Sequence, residues 1–388
     1  MTHAPTGERA DRLSALDGLR GVAALGVAFH HTGPMFGRFL PMTCGWVFVD
    51  LFFLISGIVM MHVYEAKIVA GRLSFAEFLA HRFARLWPLH AFMLLVTALV
   101  CLARLHFSGL SEAARTSGPA PLYTFFLNLS LLQCAGLSRN EFWNSWNGIA
   151  WSLTPEILLN VVWFYFVFKR RLSSVFLVAS VAASAFLFFN LPWKSPLFGW
   201  LQFLTLPRCA VSFGLGCLLY RHLYRPGIPA PGTNRFPLSA GWSGVLAALL
   251  LVAIQLNEAR WHSPIFADWP YLAIFFLFPL VVHGALRQGT VLNRLFSSRP
   301  LTFLGAISYS VYLCQLQLLF VVEETNRRLL HSALSPVQLG PIFLVLLLVT
   351  ATLLYRFIEV PLRKKTRPVF ETLFGGVFRP SPKGESAA

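Results

Sequence analysis

The sequence predicts an all-α, polytopic membrane protein with about ten transmembrane helices and both termini in the cytoplasm. Three observations carry this. Of 388 residues, 56% are hydrophobic and only 12% charged, against roughly 25% charged in an average globular domain. The 37 Phe and 11 Trp are more aromatic surface than a soluble core needs. About ten apolar stretches reach the ~20 residues that a helical span requires. A disordered chain, a fibrous repeat and a soluble enzyme with a polar coat are excluded.

The stretches run over 15–33, 44–63, 86–104, 149–168, 174–190, 200–220, 240–256, 267–286, 301–322 and 339–360. Residues 122–133 are apolar but too short to span, and read as interfacial or re-entrant. A net charge of +16 would suggest nucleic acid in a soluble protein. Here the question is where the charges lie. With the N-terminus inside and the spans alternating, roughly two thirds of the Lys and Arg fall in cytoplasmic segments, as the positive-inside rule asks. This makes the charge topogenic, with membrane lipids and not nucleic acid as the partner. Counting 122–133 as a span would put Lys169, Arg170 and Arg171 outside.

Residues 1–14 are polar and carry no evident cleavable leader. The domain organisation follows: a cytoplasmic tail over 1–14, a membrane domain over 15–362 with its longest external loop at about 105–148, and a basic cytoplasmic tail over 363–388. No segment has room for a soluble domain of ordinary size, so the chemistry belongs to the membrane domain itself. The six Cys show no CxxC and no metal-ligand spacing, so no metal site is expected.

Ionisable residues inside spans are costly, and each is a functional candidate by default. In the first span, Arg20 and His31 stand eleven residues apart. That is three helical turns plus about 20°, so they share a face, separated by about 16 Å along the axis. His30 lies about 100° around. A neutral imidazole is the commonest general base, although snorkelling and interhelical hydrogen bonding would also account for an Arg and a His. The second span carries Asp50 in FVDLFFLISG, where it either pairs with an Arg or orients a His. Arg82 and Arg85 share a face at the N-terminal end of the third span. They suit an anion such as phosphate, and equally suit positive-inside anchoring. The fourth span opens with Trp146 and runs through Trp151 and Pro155 to Glu156. Its Trp residues read as an interfacial belt or as stacking platforms for a ligand. The ninth span shows a Ser308, Tyr312 and Gln315 face beside Tyr309. The tenth ends at Glu359-Val-Pro361-Leu-Arg363, a helix stop with a snorkelling Arg. His62, His90 and His283 read as structural.

Taken together, LDGLRGVAALGVAFHH (16–31), FVDLFFLISG (48–57), RFARLWP (82–88), NGIAWSLTPE (147–156), ISYSVYL (307–313) and IEVPLR (358–363) resemble the acyltransferase 3 family of integral-membrane O-acyltransferases. The resemblance covers about 14–365. It implies a ten-helix membrane domain in the inner membrane that moves an acyl group, most often acetyl, from cytoplasmic acetyl-CoA or another acyl-CoA to a hydroxyl of a surface or exported glycan or glycolipid. It implies His31 as the essential histidine, with Arg20 in the same motif and Arg82 and Arg85 on the donor side. Asp50, Trp151 and Glu156 match motif positions. The candidate set is then His31, Asp50 and Glu156 for catalysis, Arg20, Arg82 and Arg85 for the donor, and Trp146, Trp151 and Tyr309 for the acceptor. Two positions depart from the pattern: Gln315 stands where a His is often found, and WSLTPE carries Thr154-Pro155 where small or branched residues are commoner. The competing class is a transporter of a glycan or lipid-linked substrate. The chain shows no pair of related halves with broken spans, which would point that way.

Overall fold

The computed structural model describes residues 6–32, 45–108, 121–135, 137, 146–190, 205–224, 237–257 and 273–378. They form helices and turns, with no strand among the described residues. Each long apolar stretch overlaps a helix, because a chain in hydrocarbon must satisfy its backbone groups within the segment. The helices are α1 (Thr6–His31), α2 (Phe48–Met60), α3 (Ala66–Val69), α4 (Phe75–Ser108), α5 (Pro121–Leu129), α6 (Leu153–Phe168) and α7 (Ser174–Asn190). They continue as α8 (Thr205–Leu223), α9 (Pro237–Asn257), α10 (Phe278–Leu286), α11 (Val291–Phe296), α12 (Arg299–Arg328), α13 (Pro336–Leu354) and α14 (Val360–Phe378). Among the described residues, 5 helical stretches are long and apolar enough to cross a membrane, and three shorter apolar helices accompany them. The protein is a multi-pass helical membrane protein.

Of residues 122–133, those up to Leu129 lie in α5, 9 residues long, or about 13 Å of helix and too short to span. The chain then turns at Leu131, whose φ of 58 lies in the left-handed region. Thr154 holds that turn: its hydroxyl donates to the Leu131 carbonyl at 2.9 Å and accepts from the Cys134 N–H at 3.3 Å. The departure at Thr154 thus has a local structural role.

The central pair is α1 on α12. Gly21 and Gly305 bring the two backbones together, and a Cβ on Gly305 would stand 2.0 Å from the Asp17 carbonyl oxygen, while Gly18 faces the Phe296 backbone at the end of α11. Small residues at the crossing allow this approach. α2 meets α8 in the same way, where a Cβ on Gly216 would stand 2.0 Å from the Leu54 carbonyl.

The far end departs from expectation. Pro361 does not stop the tenth span. A π-helical turn over Tyr355–Glu359 leads into α14, and the helical stretch Pro336–Val377 runs for 42 residues. Pro361 sits in the first turn after the π turn, where its missing N–H is tolerated. α14 docks along the start of α4 through aromatic pairs, Phe83 with Phe374 at 5.1 Å and Trp87 with Phe370 at 5.8 Å. The stretch after 362 is therefore helical as far as Phe378, and only the residues beyond it lie outside the described set.

Candidate active site

At the C-terminal end of α1, the His31 Nδ1–H donates to the Val27 carbonyl at 2.9 Å. A carbonyl only accepts, so the proton sits on Nδ1 and the Nε2 lone pair is left for chemistry. The Gln315 side-chain amide is a neighbour of the His31 ring. Its Nε2 is committed to the Tyr312 carbonyl at 3.0 Å, while its buried Oε1 has no hydrogen-bond partner. An imidazolium would supply the donor that this oxygen lacks. The site is thus built from α1 and the polar face of α12, brought together by the glycine crossing.

The other end of the α1 face holds a charged cluster. Arg20 pairs with Asp17 at 3.6 Å and lies in the field of Arg85, Glu156 and Glu359. Arg82 pairs with Glu156. Arg85 pairs with Glu359 at 2.5 Å, and the Ser310 hydroxyl donates to the same carboxylate at 2.8 Å. The Arg85 guanidinium lies 5.5 Å from the Tyr309 ring centroid, and the Tyr309 hydroxyl donates to the Leu86 carbonyl at 2.6 Å. Three guanidiniums and matching carboxylates hold one another here; the Arg82 and Arg85 pairs are largely buried, where charges need partners, and Asp17 is half exposed. The Arg82 Nε remains buried without a hydrogen-bond partner.

Asp50 stands elsewhere. Both its oxygens accept from the Arg208 Nε, at 3.0 and 2.9 Å, the Arg208 Nη2 also donates to Oδ2, and the Ser212 hydroxyl donates at 3.2 Å. Arg208 also lies 4.4 Å from the Trp46 ring centroid and donates to the Trp46 carbonyl. Of the two readings of Asp50, the Arg pair is the one seen. Glu156 and Asp50 are both held by guanidiniums, and among the described residues their ion pairs are with Arg82 and Arg208 and not with His31.

The aromatic candidates also separate. Trp151 is buried in the core at 9% exposure, so it is not part of an interfacial belt. Trp146 is half-buried; its indole donates to the Thr124 hydroxyl at 3.1 Å and its ring meets Phe125 edge-on. The segment between them is pinned to α12, with Asn147 donating to the Leu313 carbonyl at 2.9 Å and the Tyr312 hydroxyl donating to the Ile149 carbonyl at 2.8 Å. His62, His90 and His283 hydrogen-bond with Tyr220, the Asn128 carbonyl and Tyr224 respectively.

Sequence reasoning missed Glu359, Arg208 and the Glu65–Arg221 pair at 3.0 Å. Glu65 and Glu359 each end a π-helical turn, a distortion frequent at functional sites. Each is an acidic residue next to an apolar run, and the rule on intramembrane charge would have flagged both.

The profile of a known family, described as an acyltransferase domain, matches residues 13–356. The chain belongs to the acyltransferase 3 family. This acyltransferase is 34% identical over 182 residues to a Rhizobium radiobacter protein named protein 2 in picA locus, a match covering 45% of this chain and 92% of that one. It is 24% identical over 397 residues to O-acetyltransferase OatA of Staphylococcus aureus, across 97% of this chain and 60% of the relative. With the peptidoglycan O-acetyltransferase OatA of Listeria monocytogenes it shares 22% identity over 376 residues, 90% of this chain and 56% of the relative. The chain therefore spans little more than half the length of these two relatives. No solved structure matches.

Proposed function

We propose that this acyltransferase moves an acetyl or other short acyl group from cytoplasmic acyl-CoA to a hydroxyl of a surface or exported glycan. In this reading about ten helices cross the inner membrane and both termini are cytoplasmic. The observation that carries it is the α1 face, with a cation cluster at one end and, at the other, a His31 whose only protonated nitrogen is tied to Val27. The OatA relatives are named O-acetyltransferases, one of them for peptidoglycan, which supports a glycan acceptor.

The donor's diphosphate bridge is taken by the Arg20, Arg82 and Arg85 end, where the unpartnered Arg82 Nε is a ready donor. The arm of the donor threads between the helices and brings the thioester to His31. The His31 Nε2 removes the proton of the acceptor hydroxyl as its oxygen attacks the thioester carbonyl. The C–O bond forms, the C–S bond breaks, and the proton passes from His31 to the departing thiolate. Gln315 Oε1 accepts from the imidazolium in between. Trp146 faces the acceptor, while Trp151, Tyr309, Asp50 and Glu156 hold the frame.

The test is mass spectrometry of envelope and exported glycans from cells carrying the wild-type gene, no gene, or His31→Ala. An ester-sized mass found only with the wild-type protein is expected. Transport without chemistry predicts the same masses in all three and no release of free thiol from acyl-CoA by the purified protein.

A further inference from the structure

A cleft of about 1020 Å³ opens where the turn between α3 and α4 meets α14, lined by Lys67, Arg72, Ser74, Glu77, His81 and Arg367 among others. Its size is that of a small-molecule site. The charges in it are unevenly committed. Glu77 is occupied by the helix start, accepting from the Ser74 N–H and hydroxyl at 2.8 Å each. Glu371 is held by Arg367 at 2.8 Å, and Arg367 also donates to the His81 Nε2 at 2.7 Å. Lys67 and Arg72 form no ion pair among the described residues. The cleft therefore offers two uncommitted cations beside a helix start that Ser74 and Glu77 already cap, and cations free of a carboxylate favour a phosphorylated ligand.

Its position names the ligand. Ser74, Glu77, His81 and Arg85 lie at i, i+3, i+7 and i+11 on α4 and share one face. The cleft is thus in line with Arg85, about 16 Å along the helix axis. The far wall is α14, which lies beyond residue 356, where the family match ends, and is locked onto α4 by Phe370 and Phe374.

We propose that this cleft binds the phosphorylated nucleotide end of the acyl-CoA donor through Lys67 and Arg72, with Arg367 as a third cation. This rests on the reading that the donor is an acyl-CoA. A phosphate on an anionic lipid headgroup has the same chemistry, so the test separates the two.

Full-length protein in nanodiscs of phosphatidylcholine, with or without phosphatidylglycerol, is titrated with coenzyme A and with S-acetylpantetheine, which lacks the phosphates and the nucleotide. The expected result is that the double variant Lys67→Gln, Arg72→Gln loses at least about tenfold in affinity for coenzyme A, the worth of one charge-assisted hydrogen bond. Its affinity for S-acetylpantetheine and its melting temperature stay at the wild-type values. Wild-type affinity in the double variant overturns the cleft assignment and leaves the donor reading standing. Wild-type protein that binds no coenzyme A overturns the donor reading itself. Loss of phosphatidylglycerol retention with coenzyme A binding intact makes the cleft a lipid site and overturns the proposal.

Discussion

The Val27 carbonyl takes the Nδ1 proton of His31 at 2.9 Å, so the imidazole faces its surroundings as a hydrogen-bond acceptor and a base. Gln315 stands beside it with an unsatisfied Oε1. From this, His31→Gln should abolish acyl transfer, because an amide cannot take the proton, while the protein still reaches the membrane. Gln315→Leu should lower kcat by about 10–100-fold with the KM for the acyl-CoA little changed, since the amide acts only once His31 is protonated. Steady-state kinetics on purified protein separate the two terms, and a KM effect alone would place Gln315 in substrate binding. The Asp50–Arg208 pair obeys different physics. Asp50 is 1% exposed, so Asp50→Ala leaves a guanidinium without its counter-charge and should cost about 3–5 kcal/mol. The double variant Asp50→Ala, Arg208→Met should be more stable than the single one, as thermal unfolding in detergent will show. Equal losses in both would mean that the unpaired Arg208 guanidinium carries no cost of its own.

At the scale of helices, the site depends on α1 lying against α12 at backbone distance. Gly305 makes this possible: any Cβ there falls 2.0 Å from the Asp17 carbonyl oxygen, on backbone that cannot rotate away. Gly305→Val should destabilise by at least about 1–3 kcal/mol, the usual cost of overpacking. It should also reduce activity out of proportion to the stability lost, because His31 and Gln315 sit on the two helices being pushed apart. A fully active Gly305→Val protein would show that the crossing does not set the site. The LDGLRG stretch carries Asp17, Arg20, the crossing glycine Gly21 and Gly18, which packs on the Phe296 backbone, so one motif serves both packing and charge. The π turn ending at Glu359 belongs to this scale too, since it leads the tenth helix onward through Pro361 into α14.

For the molecule as a whole, α14 is an integral part of the bundle. Removing residues after 362 would uncover Phe83 and Trp87, which now pack against Phe370 and Phe374. Such a truncation should lower the melting temperature by several degrees and raise the concentration of acyl-CoA needed for half-maximal rate. An unchanged melting temperature would make α14 an appendage. Cysteine-accessibility labelling at Lys67 and Arg328, replaced singly by Cys, should place them on opposite sides of the membrane. Labelling from the same side would refute the alternating topology.

Composition and hydropathy made the class of the molecule readable without a structure, because a bilayer demands long apolar helices and leaves that demand written in the chain. Periodicity likewise put Arg20 and His31 on one face, since a helix turns by a constant angle per residue. Order of motifs made the family readable. Partners across helices were not readable. That Asp50 meets Arg208, Glu156 meets Arg82 and Glu359 meets Arg85 depends on which helices touch and at what height. Those choices are made by van der Waals packing at small residues, whose register no single helix contains. The same holds for Gln315, a mismatch to the motif when read along the chain, and a neighbour of His31 once α1 and α12 are crossed. The extent of the tenth helix was decided by tertiary contact as well, since Phe370 and Phe374 hold α14 in place against α4.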